Sequence, residues 1–221
     1  MIILKLVEIF HSIQGEGKYV GVPQIFVRFP NCNLRCRYCD TRFDRAEEIS
    51  IDEISKILAA NRVHSISLTG GEPLLHVDEI LKLKQKFPNE KLFLETNGSL
   101  PNELSRVIDS IDIVSMDFKM PSVIDQNLFV THEKFLRIAN QKDCYVKIVL
   151  SNETTIEEFS EAIDTIARVD PKILLILQPV DPRNGIQPIK SERIIEFQNR
   201  ALNFLNDVRI IPQTHKMLRI P

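Results

Sequence analysis

Three cysteines, Cys32, Cys36 and Cys39, fall within eight residues in the segment Pro30-Asn31-Cys32-Asn33-Leu34-Arg35-Cys36-Arg37-Tyr38-Cys39-Asp40-Thr41. Thiolates at spacings of four and three can converge on one inorganic core from a single loop. A [4Fe–4S] cluster normally takes four thiolates. Three would leave one iron open, much as a catalytic zinc keeps a position for its substrate. An open iron can hold the amino and carboxylate groups of a methionine-type ligand. A Cys3His zinc site is the alternative, with His11, His64, His76, His132 or His215 as the fourth ligand. None of these histidines stands at the short spacing of a zinc-finger pair. Cys144 lies apart and reads as a small buried hydrophobe, not as a ligand.

Further polar residues gather where apolar runs end. Leu68-Thr69-Gly70-Gly71-Glu72-Pro73 offers two glycines that permit positive φ and close backbone approach to a ligand. Glu95-Thr96-Asn97-Gly98, Ser115-Met116-Asp117-Phe118-Lys119 and Gln178-Pro179-Val180-Asp181 end three later runs.

These segments need a frame, and the hydrophobic pattern supplies one. Apolar, β-branched runs alternate with amphipathic stretches. Strands are expected at Gln24–Phe29, Val63–Leu68, Lys91–Glu95, Ile111–Met116, Tyr145–Leu150, Ile173–Leu177 and Val208–Ile211, with Met1–Phe10 as a first strand. Helices are expected at Ile51–Ala60, Val77–Phe87, Glu103–Asp109, Glu133–Asn140, Ile156–Arg168 and Ser191–Asn206. Ser50 with Glu53, and Thr155 with Glu158, have the spacing of capping boxes. Asp170-Pro171 should close the helix before Ile173. Strand–helix alternation implies an α/β fold with a parallel sheet and right-handed crossovers. Six or so units are too few for a closed eight-stranded barrel; an open partial β/α barrel and a doubly wound sheet both fit. In either, ligands gather beyond the carboxyl ends of the strands.

The 221 residues form one domain without linker or low-complexity segment. A net charge of −2, with acids and bases interspersed, excludes a general basic field for nucleic acid. No stretch approaches the roughly 18 apolar residues of a membrane span. Clustered rather than dispersed cysteines point to a reducing compartment, so a cytoplasmic location is expected.

The Cys-x3-Cys-x2-Cys loop after a strand, with Tyr38 before the last cysteine, resembles the signature of the radical S-adenosylmethionine (SAM) superfamily. The resemblance implies a partial (β/α)6 barrel, a [4Fe–4S] cluster on the three cysteines, and SAM cleaved to a 5′-deoxyadenosyl radical. Gly70-Gly71-Glu72-Pro73 looks like the motif that binds the amino group of SAM. By the same resemblance, Tyr38, Cys39, Asp40, Gly71 and Glu72 border SAM. Ser115, Met116 and Asp117 would hold its ribose or carboxylate, the bland reading being a surface ion pair between Asp117 and Lys119. Gln178, Pro179, Val180 and Asp181 would line the adenine pocket.

Three features narrow the likeness: Ser12-Ile13-Gln14-Gly15-Glu16-Gly17 before the strong strand, Cys39-Asp40-Thr41, and the terminus Gln213-Thr214-His215-Lys216 running to Pro221. Together they resemble the 7-carboxy-7-deazaguanine synthase family, from about Glu8 to Pro221. The resemblance implies a small-molecule substrate, 6-carboxy-5,6,7,8-tetrahydropterin, a ring contraction with loss of ammonia, and Mg²⁺ assistance. It assigns Thr41 to Mg²⁺ and Ile13, Gln14, Gly15, Glu16, Arg28, Thr69 and Pro221 to the substrate. Arg28 offers a planar fork for a carboxylate. The backbone from Ile13 to Gly15 can bond an aminopyrimidinone edge. A homodimer and an electron donor such as flavodoxin or ferredoxin are further implications. The chain departs from the Ser-Pro-Lys sequence of many members at Ser115–Lys119. A glycyl-radical activase and a zinc-binding interaction module are the competing readings.

Overall fold

A computed structural model describes residues 2–39, 41, 45–182 and 185–220. Asp40 and Pro221, both named above as site residues, lie outside them. The strands are β1 (Ile3–Leu6), β2 (Glu8–Ile13), β3 (Pro23–Phe29), β4 (Glu47–Ser50), β5 (Ser65–Gly70), β6 (Leu92–Thr96), β7 (Ile113–Asp117), β8 (Asp143–Leu150), β9 (Leu174–Pro179) and β10 (Val208–Ile210). The α-helices are α1 (Asp52–Ala60), α2 (Val77–Lys86), α3 (Pro101–Val107), α4 (Pro121–Ile124), α5 (Phe129–Ala139), α6 (Ile156–Val169), α7 (Ser191–Ala201) and α8 (Thr214–Leu218).

Eight strands form one open sheet in the order β10-β9-β8-β7-β6-β5-β3-β2. All neighbours are parallel except β2, which pairs antiparallel with β3. The expected α/β architecture with a parallel sheet is therefore present. The predicted single first strand is instead two. β1 leaves the main sheet to pair antiparallel with β4.

Strand alternation gives the sheet two faces. Leu92, Leu94, Val114, Met116, Val146, Ile148, Leu175 and Leu177 belong to the main core, packed with helical residues such as Leu104, Phe135, Phe159 and Phe197. On the other face, Phe93, Ile113, Tyr145, Leu174 and Ile176 form a separate apolar floor. One or two steps further along these strands, that face turns polar, with Glu95, Ser115, Asp117, Lys147 and Gln178 around a single cavity. Residues from β5 to β9 meet there, so this face of the sheet is concave.

The helices form for local reasons. In α6, Phe159, Ala162, Ile163 and Ile166 share a buried stripe. Its capping box is made: Thr155 Oγ1 accepts from Glu158 N at 3.2 Å, and Thr155 N donates to Glu158 Oε1 at 2.9 Å. Asp170 ends the helix as expected. The other expected capping box is not made. Ser50 is the last residue of β4, and its Oγ accepts from Asp52 N at 3.3 Å, while Glu53 pairs with Lys56. The strand claims Ser50 before the helix can. Pro101 starts α3 two residues early, since a proline at the first turn forfeits no hydrogen bond. Asn127 Oδ1 accepts from Phe129 N at 3.0 Å and moves the start of α5 upstream. Residue Ala201, not Asn206, ends α7.

Thr155→Ala is expected to cost about 1 kcal/mol. The unfolding midpoint should then drop by roughly 2–4 °C for a domain of this size, measured by thermal denaturation.

Candidate functional site

The cysteine loop leaves the end of β3, and its path is fixed by the glycines after β5. Gly71 N donates to Phe29 O at 3.0 Å, and Glu72 N donates to Asn31 O at 2.8 Å. A Cβ on Gly71 would stand 1.6 Å from Asn31 O; one on Gly70, at φ +123°, would stand 2.2 Å from Phe29 O. The glycine pair thus lets two backbones touch, and both glycines then border the cavity.

The Glu72 carboxylate is fully buried and accepts from Leu74 N at 3.1 Å, Thr96 Oγ1 at 2.8 Å and Asn97 N at 2.8 Å. Burial pushes its pKa up to about 7, against the pull of those donors. The side chain does not border the cavity. The carboxylate fastens β5 to β6, with three of its roughly four acceptor positions taken by protein donors.

Asn97 carries the connection back to the cysteines. Its Nδ2 donates to Asn33 Oδ1 at 3.0 Å and reaches Cys32 Sγ at 3.9 Å. Its carbonyl accepts from His132 Nε2 at 3.2 Å. His132 is fully buried, with Nδ1 unpartnered, and burial holds its pKa down at about 4.

Cys32, Cys36 and Cys39 border one cavity, and all four cysteines are free thiols. Burial raises the pKa of the Cys32 and Cys36 thiols, and each thiol also feels its neighbours in the loop. Among the described residues no three His, Cys, Asp or Glu side chains could share one metal ion. A cubane cluster does not require that, since each thiolate binds its own iron. Cys144 lies in β8, its thiol pushed up to about 12 by burial.

Beside the cysteines, the cavity is bordered by Tyr38, Thr41, Ser115, Asp117, Gln178, Val180 and Asp181. Two acceptors there are buried and without a hydrogen-bond partner: Asp117 Oδ1 and Gln178 Oε1. The Asp117–Lys119 pair, 2.8 Å apart, is buried against this cavity and is not a surface pair. Met116 is turned away from the cavity. Strand alternation turns its side chain to the opposite face, where it packs fully buried in the main core under Gly98. Pro179, of the same parity relative to Gln178, is likewise absent from the cavity wall.

A second cavity, of about 470 Å³, adjoins the first. Glu16, Thr41, Thr69, Glu95 and Gln213 border both. Glu8, Ile13, Gln14, Gly15, Arg28, Phe10, Phe26, His215 and Ile220 complete its wall. Arg28 Nε donates to Glu8 Oε1 at 2.7 Å. Phe10 and Phe26 stack at 5.0 Å and give a flat apolar side. The expected backbone contacts at Ile13–Gly15 are largely committed elsewhere: Gln14 N donates to Val22 O, Gln14 O accepts from Gly21 N, and Gly15 O accepts from Thr214 N. Gly15 makes room for His215, whose Nδ1 would lie 2.1 Å from an added Cβ. The C-terminal segment therefore folds back onto the Gln14–Gly17 turn, and Ile220, next to Pro221, reaches the cavity wall.

Sequence reasoning missed Lys147, Lys216 and the structural role of Asn97. A lysine inside the apolar run Tyr145–Leu150 was the available signal for the first, because a charge on a central strand needs a partner. Glu16 is that partner. Burial would raise the pKa of Glu16, but Lys147, Gln213 and His215 bring it down to about 2. Glu16 is thus a fixed carboxylate.

An open parallel sheet with a three-cysteine loop at its carboxyl edge defines a radical SAM domain. The profile of the Radical SAM superfamily matches residues 26–169. Two relatives named 7-carboxy-7-deazaguanine synthase match over the full length. That of Geobacter sulfurreducens is 38% identical, covering 97% of this chain and 96% of its own. That of Methanothermobacter thermautotrophicus is 34% identical, covering 96% of each. The crystal structure of QueE from Escherichia coli shares the fold, with a TM-score of 0.65 and 20% identity over 96% of this chain and 95% of that one. The chain belongs to the 7-carboxy-7-deazaguanine synthase family.

The neutral His132 gives a pH signature. Its folded pKa lies below the ordinary 6.5, so its contribution is intact above pH 6.5 and is lost as pH falls toward 4. Across that window stability should fall by about 3 kcal/mol from this group. His132→Gln, which keeps a donor for Asn97, should flatten the slope in denaturant titrations at pH 4–7.

Proposed function

We infer that this protein catalyses the radical SAM-dependent ring contraction of 6-carboxy-5,6,7,8-tetrahydropterin to 7-carboxy-7-deazaguanine, with loss of ammonia, in 7-deazapurine biosynthesis (queuosine or archaeosine). One observation carries the reading: two cavities meet at shared residues, one bordered by the cysteine loop and the other by Arg28 and the returning C-terminal segment. A substrate held in the second cavity would be the immediate neighbour of a cofactor held in the first. Full-length identity to relatives of that name agrees.

The donor set suits the cofactors. Cys32, Cys36 and Cys39 would hold the [4Fe–4S] cluster, which with SAM supplies the electron and the 5′-deoxyadenosyl radical. Asp117 Oδ1 is a buried acceptor in want of a donor, as a ribose hydroxyl would provide. Gln178 Oε1 is another, matched to the exocyclic amine of adenine. Ser115, Val180, Asp181, Tyr38 and the Gly71 backbone complete that half; Met116 and Pro179 can contribute only through their backbones.

In the other half, Arg28 donates to Glu8 through Nε and lies over the Phe10 ring, 5.5 Å from its centroid, so that its terminal nitrogens would meet the substrate carboxylate. The Phe10–Phe26 stack offers a face for a flat heterocycle. Gln14 is locked: its Nε2 donates to Gln24 at 3.1 Å and to Glu95 at 2.7 Å, and its Oε1 accepts from Glu16 N at 3.0 Å. Glu16 and Thr69 then face the substrate as fixed acceptor and hydroxyl. Thr41 borders both cavities and offers a hard oxygen for Mg²⁺, which keeps several waters and needs few protein ligands. Asp40 and Pro221 complete the assignment from the family likeness.

The exposed Arg35 of the cysteine loop would meet an acidic electron donor, such as a flavodoxin or ferredoxin. A homodimer is part of the proposal. So is a cytoplasmic location, consistent with four free thiols. Among the described residues no helix is long and apolar enough to cross a membrane.

The deciding experiment is an anaerobic assay of reconstituted protein with SAM, reductant, Mg²⁺ and the tetrahydropterin, read by mass spectrometry. The 7-carboxy-7-deazaguanine product is expected; SAM cleavage without it would favour a glycyl-radical activase. Cys36→Ala should lose the cluster and all turnover, and retention of iron with activity would refute the ligand assignment. Thr41→Ala should weaken the response to Mg²⁺ while leaving the cluster spectrum unchanged.

A further inference from the structure

Lys147 stands at the middle of β8, the one charged residue between Tyr145 and Leu150. Its side chain is 12% exposed and projects from the concave face. The ammonium pairs with Glu16 and lies 3.6 Å from Asp117 Oδ2, on its register partner in β7. Each carboxylate has one more partner. Glu16 Oε1 accepts from Gln213 Nε2 at 2.6 Å, and Asp117 Oδ2 pairs with Lys119 at 2.8 Å. Lys119 in turn donates to Tyr38 Oη at 3.2 Å. The result is one chain, Gln213–Glu16–Lys147–Asp117–Lys119–Tyr38. It runs from the C-terminal segment over the substrate cavity to the cysteine loop.

We infer that Lys147 is a positioning residue that couples the two half-sites, through Glu16 on the substrate side and Asp117 on the SAM side. The inference rests on the assignment of those halves given above. Two carboxylates and two ammoniums balance in this buried chain, and a buried charge is tolerated only while paired. Glu16 and Asp117 draw on the same ammonium, with Glu95 adding to its field. A hydroxyl donated to the unpartnered Asp117 Oδ1 satisfies that carboxylate in part. Lys147 then turns more fully to Glu16 and fixes it for the second ligand. Coupling of this kind is reciprocal by thermodynamic necessity.

The test is anaerobic calorimetry on cluster-reconstituted protein, with the cluster left oxidised so that no turnover occurs. SAM affinity is measured with and without the tetrahydropterin, and pterin affinity with and without SAM. In the wild type each ligand should tighten the other by the same factor, about 5-fold or more. Lys147→Met should abolish that factor; Lys147→Arg, which keeps the charge, should retain it. In turnover, Lys147→Met should raise the pterin KM more than it lowers kcat. Unchanged coupling in Lys147→Met would overturn the inference. So would no coupling in the wild type, or an equal loss of both affinities and of thermal stability in the Met and Arg variants. Wild-type protein that binds neither ligand would instead refute the half-site assignment itself.

Discussion

The close approach of two backbones, Asn31 against Gly70–Glu72, sets the position of everything else in the site. The cysteine loop has little regular structure of its own; it follows β3 as an irregular segment with Asn31 at φ +62°. Two backbone hydrogen bonds and the absence of a Cβ at Gly71 hold it over the end of β5. Glu72 then spends its carboxylate on Thr96 and Asn97, and Asn97 returns to Asn33 and Cys32. Loop, glycine turn and β6 end thus form a closed ring of hydrogen bonds. A buried carboxylate with three donors is costly to assemble, yet once satisfied it leaves the surrounding backbone few alternatives.

A second constraint is the change in character along the concave face. Phe93, Ile113, Tyr145, Leu174 and Ile176 fill the floor, and Gly17 gives Tyr145 the space it needs. Further along the same strands the side chains become Glu95, Ser115, Asp117, Lys147 and Gln178. An apolar floor drives the sheet to bury this face, and the polar rim keeps ligand-sized space from collapsing. The opposite face packs into the main core with helical residues such as Leu104, Phe135, Phe159 and Phe197.

How much of this was legible in the sequence follows the range of the forces involved. The parallel strands and their helices were readable because hydrophobic period is local, while some boundaries moved by up to five residues, as at the end of α7. The β1–β4 pair was not, since β4 opens on two charges, Glu47 and Glu48, and the two strands lie some forty residues apart. The cysteines, Arg28, Thr41, Thr69 and Glu16 were named from spacing and likeness, and all border the paired cavities. The side chain of Met116 faces away from the cavity, a distinction lost when a run of adjacent residues is taken together, because a strand sends alternate side chains to opposite faces. The hydrogen bonds of Glu72 were not legible, because no sequence pattern shows that three protein donors surround it.

Lys147 illustrates what lies between these cases. Its type and place in an apolar strand announced a buried charge, but the identity of its partners depends on two distant events. The turn after β2 must bring Glu16 over the sheet, and the C-terminal segment must hold it there through Gln213. The same return of the C-terminus closes the open edge of the site, where β2 and β10 have no further strand to pair with in the sheet. An open sheet therefore reaches with side chains and a short helix what a closed barrel would reach with strands. The ionic chain from Gln213 to Tyr38 is the seam of that closure, which is why a change at either end should be felt at the other.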